Sequence, residues 1–321
     1  MAHASPTTEP ATAATAATAA YRAQLERLSA ASVSKRYHAY EDIDWGAAEH
    51  QIDSADPRWE IRDDDPLRDT PWYRALPQPL RAKVGLHRII SRMRMGVLFE
   101  NILQRGLLEF LTELPAGSAE FRYAMHELIE EGEHSLMFQE FIHRTGLTLP
   151  ALSRLDRNLG GVIALVGRLF PELFFLFVLG GETPIDHDQR RSQAAPWERH
   201  PLLRRIEQIH ITEEARHLRF AACYLREHVP RLPAARMRLL QLLAPLVLAY
   251  MFKAMMTAPP GLTQLFGAPA AEIAAAYRGH RELTAQTLAA FTPVRELCRE
   301  LGVLTAGTRW LWVRCGLEAR S

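Results

Sequence analysis

Cysteine is scarce in this chain. Cys223, Cys298 and Cys315 are the three, far apart, odd in number and without a Cys-x-x-Cys pair. A disulfide framework and a zinc knuckle are therefore not indicated, and buried, inert thiols in a reducing cytoplasm are the expectation. Net charge is nearly absent as well, +1 over 321 residues, with basic side chains interspersed among acidic ones. Such a surface offers no electrostatic footprint for nucleic acid. No basic stretch followed by a strongly apolar one opens the chain, so no signal peptide is expected. Alternating Val/Ile/Thr runs bounded by Asn-Gly or Asp-Gly turns are also missing, which removes the usual strand signals.

Long uninterrupted apolar runs are the last absence. Residues 161–181 carry Arg168, Pro171 and Glu172, and residues 239–256 carry Pro245 and Lys253. A membrane span wants about 20 mostly apolar residues without such breaks. Both stretches read as bundle helices buried nearly all round, and no membrane is expected.

What is present is helix former after helix former. The Ala/Thr-rich start (ATAATAATAA over residues 11–20) reads as disordered through residue 20. A single helical domain is expected over 21–321, with its functional core at about 76–228. A short amphipathic helix is expected at 21–32. Residues 37–71 read as an irregular, solvated loop dense in aspartate, with Asp42, Asp44, Asp53, Asp56, Asp63, Asp64 and Asp65 among its acids, and no EF-hand pattern. Helices follow at 79–114, from the cap Ser118 to 145, at 153–182, at 201–228, at 234–257, at 269–291 and after Pro293. Pro115, Pro150, Pro184, Pro196 and Pro230 serve as stops. The fold class is all-α: a helical bundle with additional C-terminal helices.

The chemistry sits in one spacing. His210, Glu214 and His217 fall at i, i+4 and i+7, on one helical face. Glu131 and His134 form another Glu-x-x-His. Glu100 lies 31 residues before Glu131, and Glu182 lies 32 residues before Glu214. Two helix pairs, each offering one lone Glu and one Glu-x-x-His, make the carboxylate cage of a dinuclear iron or manganese centre when projected inward. Either motif alone reads equally as a core or solvated pair. The doubled spacing, with Glu100 and Glu182 in apolar surroundings, favours the metal. His210 is surplus to the ordinary two-histidine cage and is expected beside the second-half metal. Glu130, Glu133 and Glu213 read as outer or surface acids. Glu172 and Glu207 are the substitutes should Glu182 or a ligand near Glu214 be misplaced. Arg216 reads equally as an ion-pair partner or a solvated side chain.

These motifs, with the third histidine, resemble the non-haem diiron N-oxygenases of the p-aminobenzoate N-oxygenase (AurF-type) family, within the ferritin-like superfamily. The match is carried by Glu131-Gly132-Glu133-His134 and by residues 210–217, and covers roughly residues 76–256. The resemblance implies metal ligands Glu100, Glu131, His134, Glu182, His210, Glu214 and His217, holding two iron ions, with manganese as an alternative. It implies a monooxygenase that uses O2 to oxidise an amine nitrogen towards hydroxylamine, nitroso or nitro. It also implies an external electron donor, a ferredoxin or flavin reductase, since the chain shows no flavin or nicotinamide fingerprint, and a cytoplasmic homodimer. A diiron hydroxylase or desaturase acting on an acyl chain is the nearest rival, and a non-catalytic helical binding protein is the reading from another class. A radical-generating reductase subunit is disfavoured because Phe138 stands where its tyrosine would be. An iron-storage shell is disfavoured by chain length.

Overall fold

A computed structural model describes residues 9–149, 154–194, 198–256, 261–278 and 280–319. Among these there is no strand. The helices are α1 (Glu9–Ser34), α2 (Pro71–Ala75), α3 (Gln78–Leu111), α4 (Ala119–Arg144), α5 (Arg154–Leu169), α6 (Pro171–Ala194), α7 (Pro201–His228), α8 (Ala234–Met256), α9 (Leu262–Phe266), α10 (Ala270–Tyr277), α11 (Arg281–Ala290), α12 (Thr292–Glu300) and α13 (Arg309–Arg314).

Local chemistry sets the boundaries of the central helices. Ser118 caps α4, its Oγ accepting from the Phe121 amide at 3.1 Å. Gly146, at φ +62°, follows its end. Pro201 starts α7 in the first turn, where its missing N–H is no loss. α3 packs on α4, and α6 on α7, as two helical pairs that meet where α4 crosses α7; α5 and α8 flank them and α1 lies against α4 and α7. Two apolar clusters fill the bundle. One holds Phe99, Ile102, Tyr123 and Phe220, the other Met93, Phe138, Ile206 and Ile209. On α3, α4 and α7 alike, the chain passes from one cluster to the other through the segment that carries the predicted ligands. The site is thus a polar layer between two dry ones.

Several expectations need correction. The Ala/Thr stretch is helical from Glu9, because alanine gives up least on entering a helix; residues 1–8 lie outside the described part. The helix expected at 153–182 is two. Pro171 begins α6, and α6 then runs through Pro184 to Ala194, so Glu182 is mid-helix rather than terminal. The proline leaves the Gly180 carbonyl without its helical donor, a cost the buried packing of α6 outweighs. The helix expected at 269–291 is broken into α10 and α11. Ser153, Pro150, Pro196 and Thr257 lie outside the described residues. The Asp-rich loop is not simply solvated. It carries three single-turn 3-10 helices, and Asp56 and Asp65 cap two of them. Only Cys298 is buried, while Cys223 and Cys315 are half-buried.

Helix α8 departs most from expectation. It presses Leu240, Ala244 and Leu248 into the core, yet Leu239, Leu242 and Leu246 are each nearly half exposed. By length and composition its stretch Ala234–Ala254 is long and apolar enough to cross a membrane, and it is the one such helix among the described residues.

Candidate metal centre

All seven predicted ligands are buried and come together. Glu100 projects from α3, Glu131 and His134 from α4, Glu182 from α6, and His210, Glu214 and His217 from α7. They form two groups. Glu100, His134 and His210 bring one donor atom each within 4.8 Å of one another, and so do Glu131, Glu182, Glu214 and His217. His210 thus groups with Glu100 and His134, the first-half residues, while its Nε2 also stays 3.5 Å from Glu214 of its own repeat. The crossing of α4 and α7 explains this: a residue one turn before Glu214 on α7 faces the turn after Glu131 on antiparallel α4.

Glu131 and Glu214 lie between the groups. One Glu131 oxygen is 3.1 Å from His134 Nδ1 and the other 2.8 Å from His217 Nδ1. Glu214 Oε1 is 3.4 Å from His134 Nδ1 and 3.5 Å from His210 Nε2, while its Oε2 is 3.5 Å from His217 Nδ1. Each carboxylate thus offers one oxygen to either side, the arrangement a bridging ligand needs.

The donor set fits a pair of divalent cations. Glu100 Oε2 and both oxygens of Glu182 and of Glu214 are buried without a hydrogen bond. His217 Nδ1 and Glu131 Oε1, although close, are also without one, as expected of two donors aimed at a shared third atom. Buried polar atoms are rarely left so, and an unpaired buried carboxylate is costly. Four carboxylates carry four negative charges, which two divalent ions cancel. Hard oxygen donors with imidazole suit iron or manganese. Protonation shows the same demand for positive charge. Burial alone would lower His134 and His217, but the carboxylates around them, Glu131 foremost, hold both well above the ordinary imidazole value. Burial, reinforced by neighbouring carboxylates, pushes Glu100 and Glu182 well up. His210 is pushed down to about 4 by burial and is neutral.

Outer partners orient every ring. His134 Nε2 is 3.0 Å from Glu213 Oε2, and His217 Nε2 is 2.8 Å from Glu130 Oε2. The acid that precedes each central glutamate in one repeat therefore holds the histidine of the other. Arg216 ties the two acids together, 2.9 Å from Glu130 and 3.4 Å from Glu213. It is buried and paired, so the solvated alternative falls. Glu133, by contrast, faces outward to the Ala39 amide and His38. His210 Nδ1–H donates to Gln189 Oε1 at 3.0 Å, leaving Nε2 for the cage. Gln189 carried no signal in the sequence; a position seven residues after Glu182, two helical turns along α6, is where it was to be found. Glu172 and Glu207, the proposed substitutes, are engaged elsewhere, with Arg236 and Arg199.

A cavity of about 390 Å³ reaches the cage at Glu100, Glu182 and His210. Its inner wall is apolar, with Phe99, Phe138, Ile185 and Ile206. Its outer wall is built by the Asp-rich loop with α3 and α6. There Asp188 holds Arg62 and Arg92, and Arg88 pairs with Asp65. Those two arginines keep the Asp188 carboxyl far below its usual range despite its burial. Sequence reasoning missed this wall, because its charges come from three segments far apart in the chain. Gly181 is required where it stands: a Cβ there would lie 2.3 Å from the Phe99 ring.

Comparison with known proteins adds two findings. A family model described as "P-aminobenzoate N-oxygenase AurF" matches residues 18–302. The uncharacterized proteins Mb0909 of Mycobacterium bovis and Rv0885 of Mycobacterium tuberculosis are each 34% identical over 296 residues, covering 92% of this chain and 87% of the relative.

Proposed function

Because the chain belongs to the p-aminobenzoate N-oxygenase AurF family, we propose that it is a non-haem diiron monooxygenase that oxidises the amine nitrogen of an arylamine. One metal would be held by Glu100, His134 and His210, the other by Glu182 and His217, with Glu131 and Glu214 shared. An iron pair so held supplies reductive activation of dioxygen. The observation that carries the reading is the cavity, which meets the cage on the side of Glu100, Glu182 and His210 and has the size of a small-molecule site. Phe99 and Phe138 give an aromatic substrate two ring faces beside that opening. The apolar inner wall keeps bulk water from the amine, and the paired charges of the outer wall face the polar end of the substrate. Glu213, Glu130 and Gln189 hold the three imidazoles in the tautomers that turn a lone pair inward.

Electrons would come from an external ferredoxin or flavin reductase. The active form would be a cytoplasmic homodimer of one catalytic domain per chain. The exposed leucines of α8 support a further interface.

The test is direct. Protein reconstituted with iron should hold about two irons per chain. When reduced without air and then given O2 beside a panel of arylamines and fatty acyl thioesters, it should yield N-oxygenated arylamine by mass spectrometry. Product from the acyl substrates alone would replace this reading with a hydroxylase or desaturase. A reconstituted chain that takes up no iron would leave only a helical binding protein.

A further inference from the structure

On the side of the cage away from the cavity, the core contains a line of rings. Tyr123 lies on α4, two turns before Glu131, close enough to His217 and Glu130 to feel their charge. Its ring is 4.7 Å from Phe220, and Phe220 is 5.2 Å from Phe175. Phe175 is 4.4 Å from Tyr224, Tyr224 stacks on His228 at 4.1 Å, and His228 meets Tyr21 at 6.0 Å. His217, Phe220, Tyr224 and His228 follow at steps of three, four and four on α7, so the line keeps to one helical face. It covers about 16 Å at 1.5 Å per residue. Burial falls along it. Tyr123 and Phe220 are fully buried, Tyr224 is 5% exposed, and the His228 side chain is 30% exposed.

Packing alone does not account for the phenols. The Tyr123 hydroxyl is buried without a hydrogen-bond partner, a loss of about 1–3 kcal/mol that phenylalanine would avoid. The outermost phenol is arranged differently. Tyr21 O–H donates to Glu120 at 2.8 Å, and His228 Nε2 is 3.0 Å from the same carboxylate. Although burial opposes it, those two hydrogen bonds hold Glu120 below its usual range. It is therefore an ionised acceptor already in contact with the phenolic proton.

We infer that Tyr123, Tyr224 and Tyr21, joined by Phe220, Phe175 and His228, form a one-electron route between the metal cage and the protein surface. The route rests on the iron assignment made above. In one passage, Tyr21 loses one electron and its O–H bond breaks, the proton going to Glu120. The electron moves inward from ring to ring to the metal centre just oxidised by O2, since O2 supplies the oxidising power that removal of an electron from a phenol needs. A one-electron donor at the surface, a reduced iron–sulfur protein or ascorbate, then gives one electron to the Tyr21 radical, and Glu120 returns the proton. The donor has lost one electron, the O2-oxidised centre has gained it, and no proton is consumed.

Tyrosine-to-phenylalanine variants test this, because they keep each ring and remove only its redox chemistry. Iron content is measured first. Iron-loaded, reduced protein is then exposed to O2 without arylamine and frozen. Electron paramagnetic resonance should show a tyrosyl signal that narrows with ring-deuterated tyrosine. Tyr123→Phe should abolish it, and Tyr21→Phe should remove its outermost component. Reduction of the oxidised iron by ascorbate, followed by absorbance, should slow in both. Tyr40→Phe, at an exposed tyrosine outside the line, should change neither. If the chain takes up no iron, the metal assignment falls and the route falls with it. If iron is bound and oxidised by O2, yet no tyrosyl signal forms and all variants are reduced at the wild-type rate, the route alone is overturned.

Discussion

Arg216→Met is the sharpest test of how the cage is held. Arg216 is buried, and its Nη2 lies 2.9 Å from Glu130 and 3.4 Å from Glu213. Those two acids hold His217 and His134 at 2.8 and 3.0 Å. Removing the guanidinium leaves two buried carboxylates without their cation. Loss of one partner from a buried ion pair costs about 3–5 kcal/mol. In a domain of this size that lowers Tm by about 4–7 °C. The exposed pair Arg226–Glu300 makes the control: its loss should cost at most about 1 kcal/mol. Metal affinity should fall too, by about 10–100-fold, since the imidazoles lose partners that fix their orientation. Denaturant unfolding of the metal-free protein and iron titration measure the two effects separately. The double variant Arg216→Met/Glu213→Gln should recover part of the stability, because it removes one orphaned charge. If Arg216→Met behaves like the Arg226 control, and Glu213→Gln does not couple to it, the ion-pair account of the cage is wrong.

Three further outcomes are expected. His210→Ala should leave the Glu182–His217 group loaded and weaken the Glu100–His134 group, bringing iron content towards about one per chain; unchanged content and unchanged O2 reactivity would remove His210 from the ligand set. Gly181→Ala must displace the Phe99 ring, which would stand 2.3 Å from the new Cβ, at about 1–3 kcal/mol, and thermal melts with cavity-probe binding should both register it. The pH response follows from groups held above their ordinary values in the metal-free fold, Glu100 and Glu182 from 4.5, His134 and His217 from 6.5. Their contribution is complete below those values and is lost as pH rises through the folded ones. The metal-free protein should therefore lose stability between about pH 5 and 8 while iron affinity rises as the imidazoles shed protons. Melts and titrations at the two ends would show either trend reversed.

The cluster of carboxylates and imidazoles was legible in the sequence because helical spacing is local and the 31/32 repeat is rigid. Once four helices were drawn, Glu100, Glu131, His134, Glu182, Glu214 and His217 could face only one another. Partners that depend on how two helices cross were not legible. His210 was expected with its own repeat and reaches the other as well, near Glu100 and His134, and Gln189 drew no notice at all. The path of α6 through Pro184 was misread for a similar reason: the penalty of a proline is local, but the burial that outweighs it is not. The cavity wall was invisible because Arg62, Arg92 and Asp188 acquire meaning only from their mutual distances.

The most informative feature is where the two-fold repeat stops. On the inner side it is nearly complete. Glu130 serves His217 as Glu213 serves His134, and Arg216 closes the pair. On the other side symmetry fails, since α7 adds His210 at the position one turn before Glu214, and α4 offers Glu127 at the matching place. Glu127 points into the fully buried side, where burial keeps its carboxyl well above the usual range. His210 points to the side where the cavity meets Glu100 and Glu182. An extra neutral donor on one group would make two metal positions chemically unequal. It would do so at the face where the cavity leaves room for a small molecule. On the proposed function, that inequality rather than the cage itself would set this chain apart from a generic carboxylate-bridged pair, and the loss of His210 should therefore cost more in activity than in fold stability.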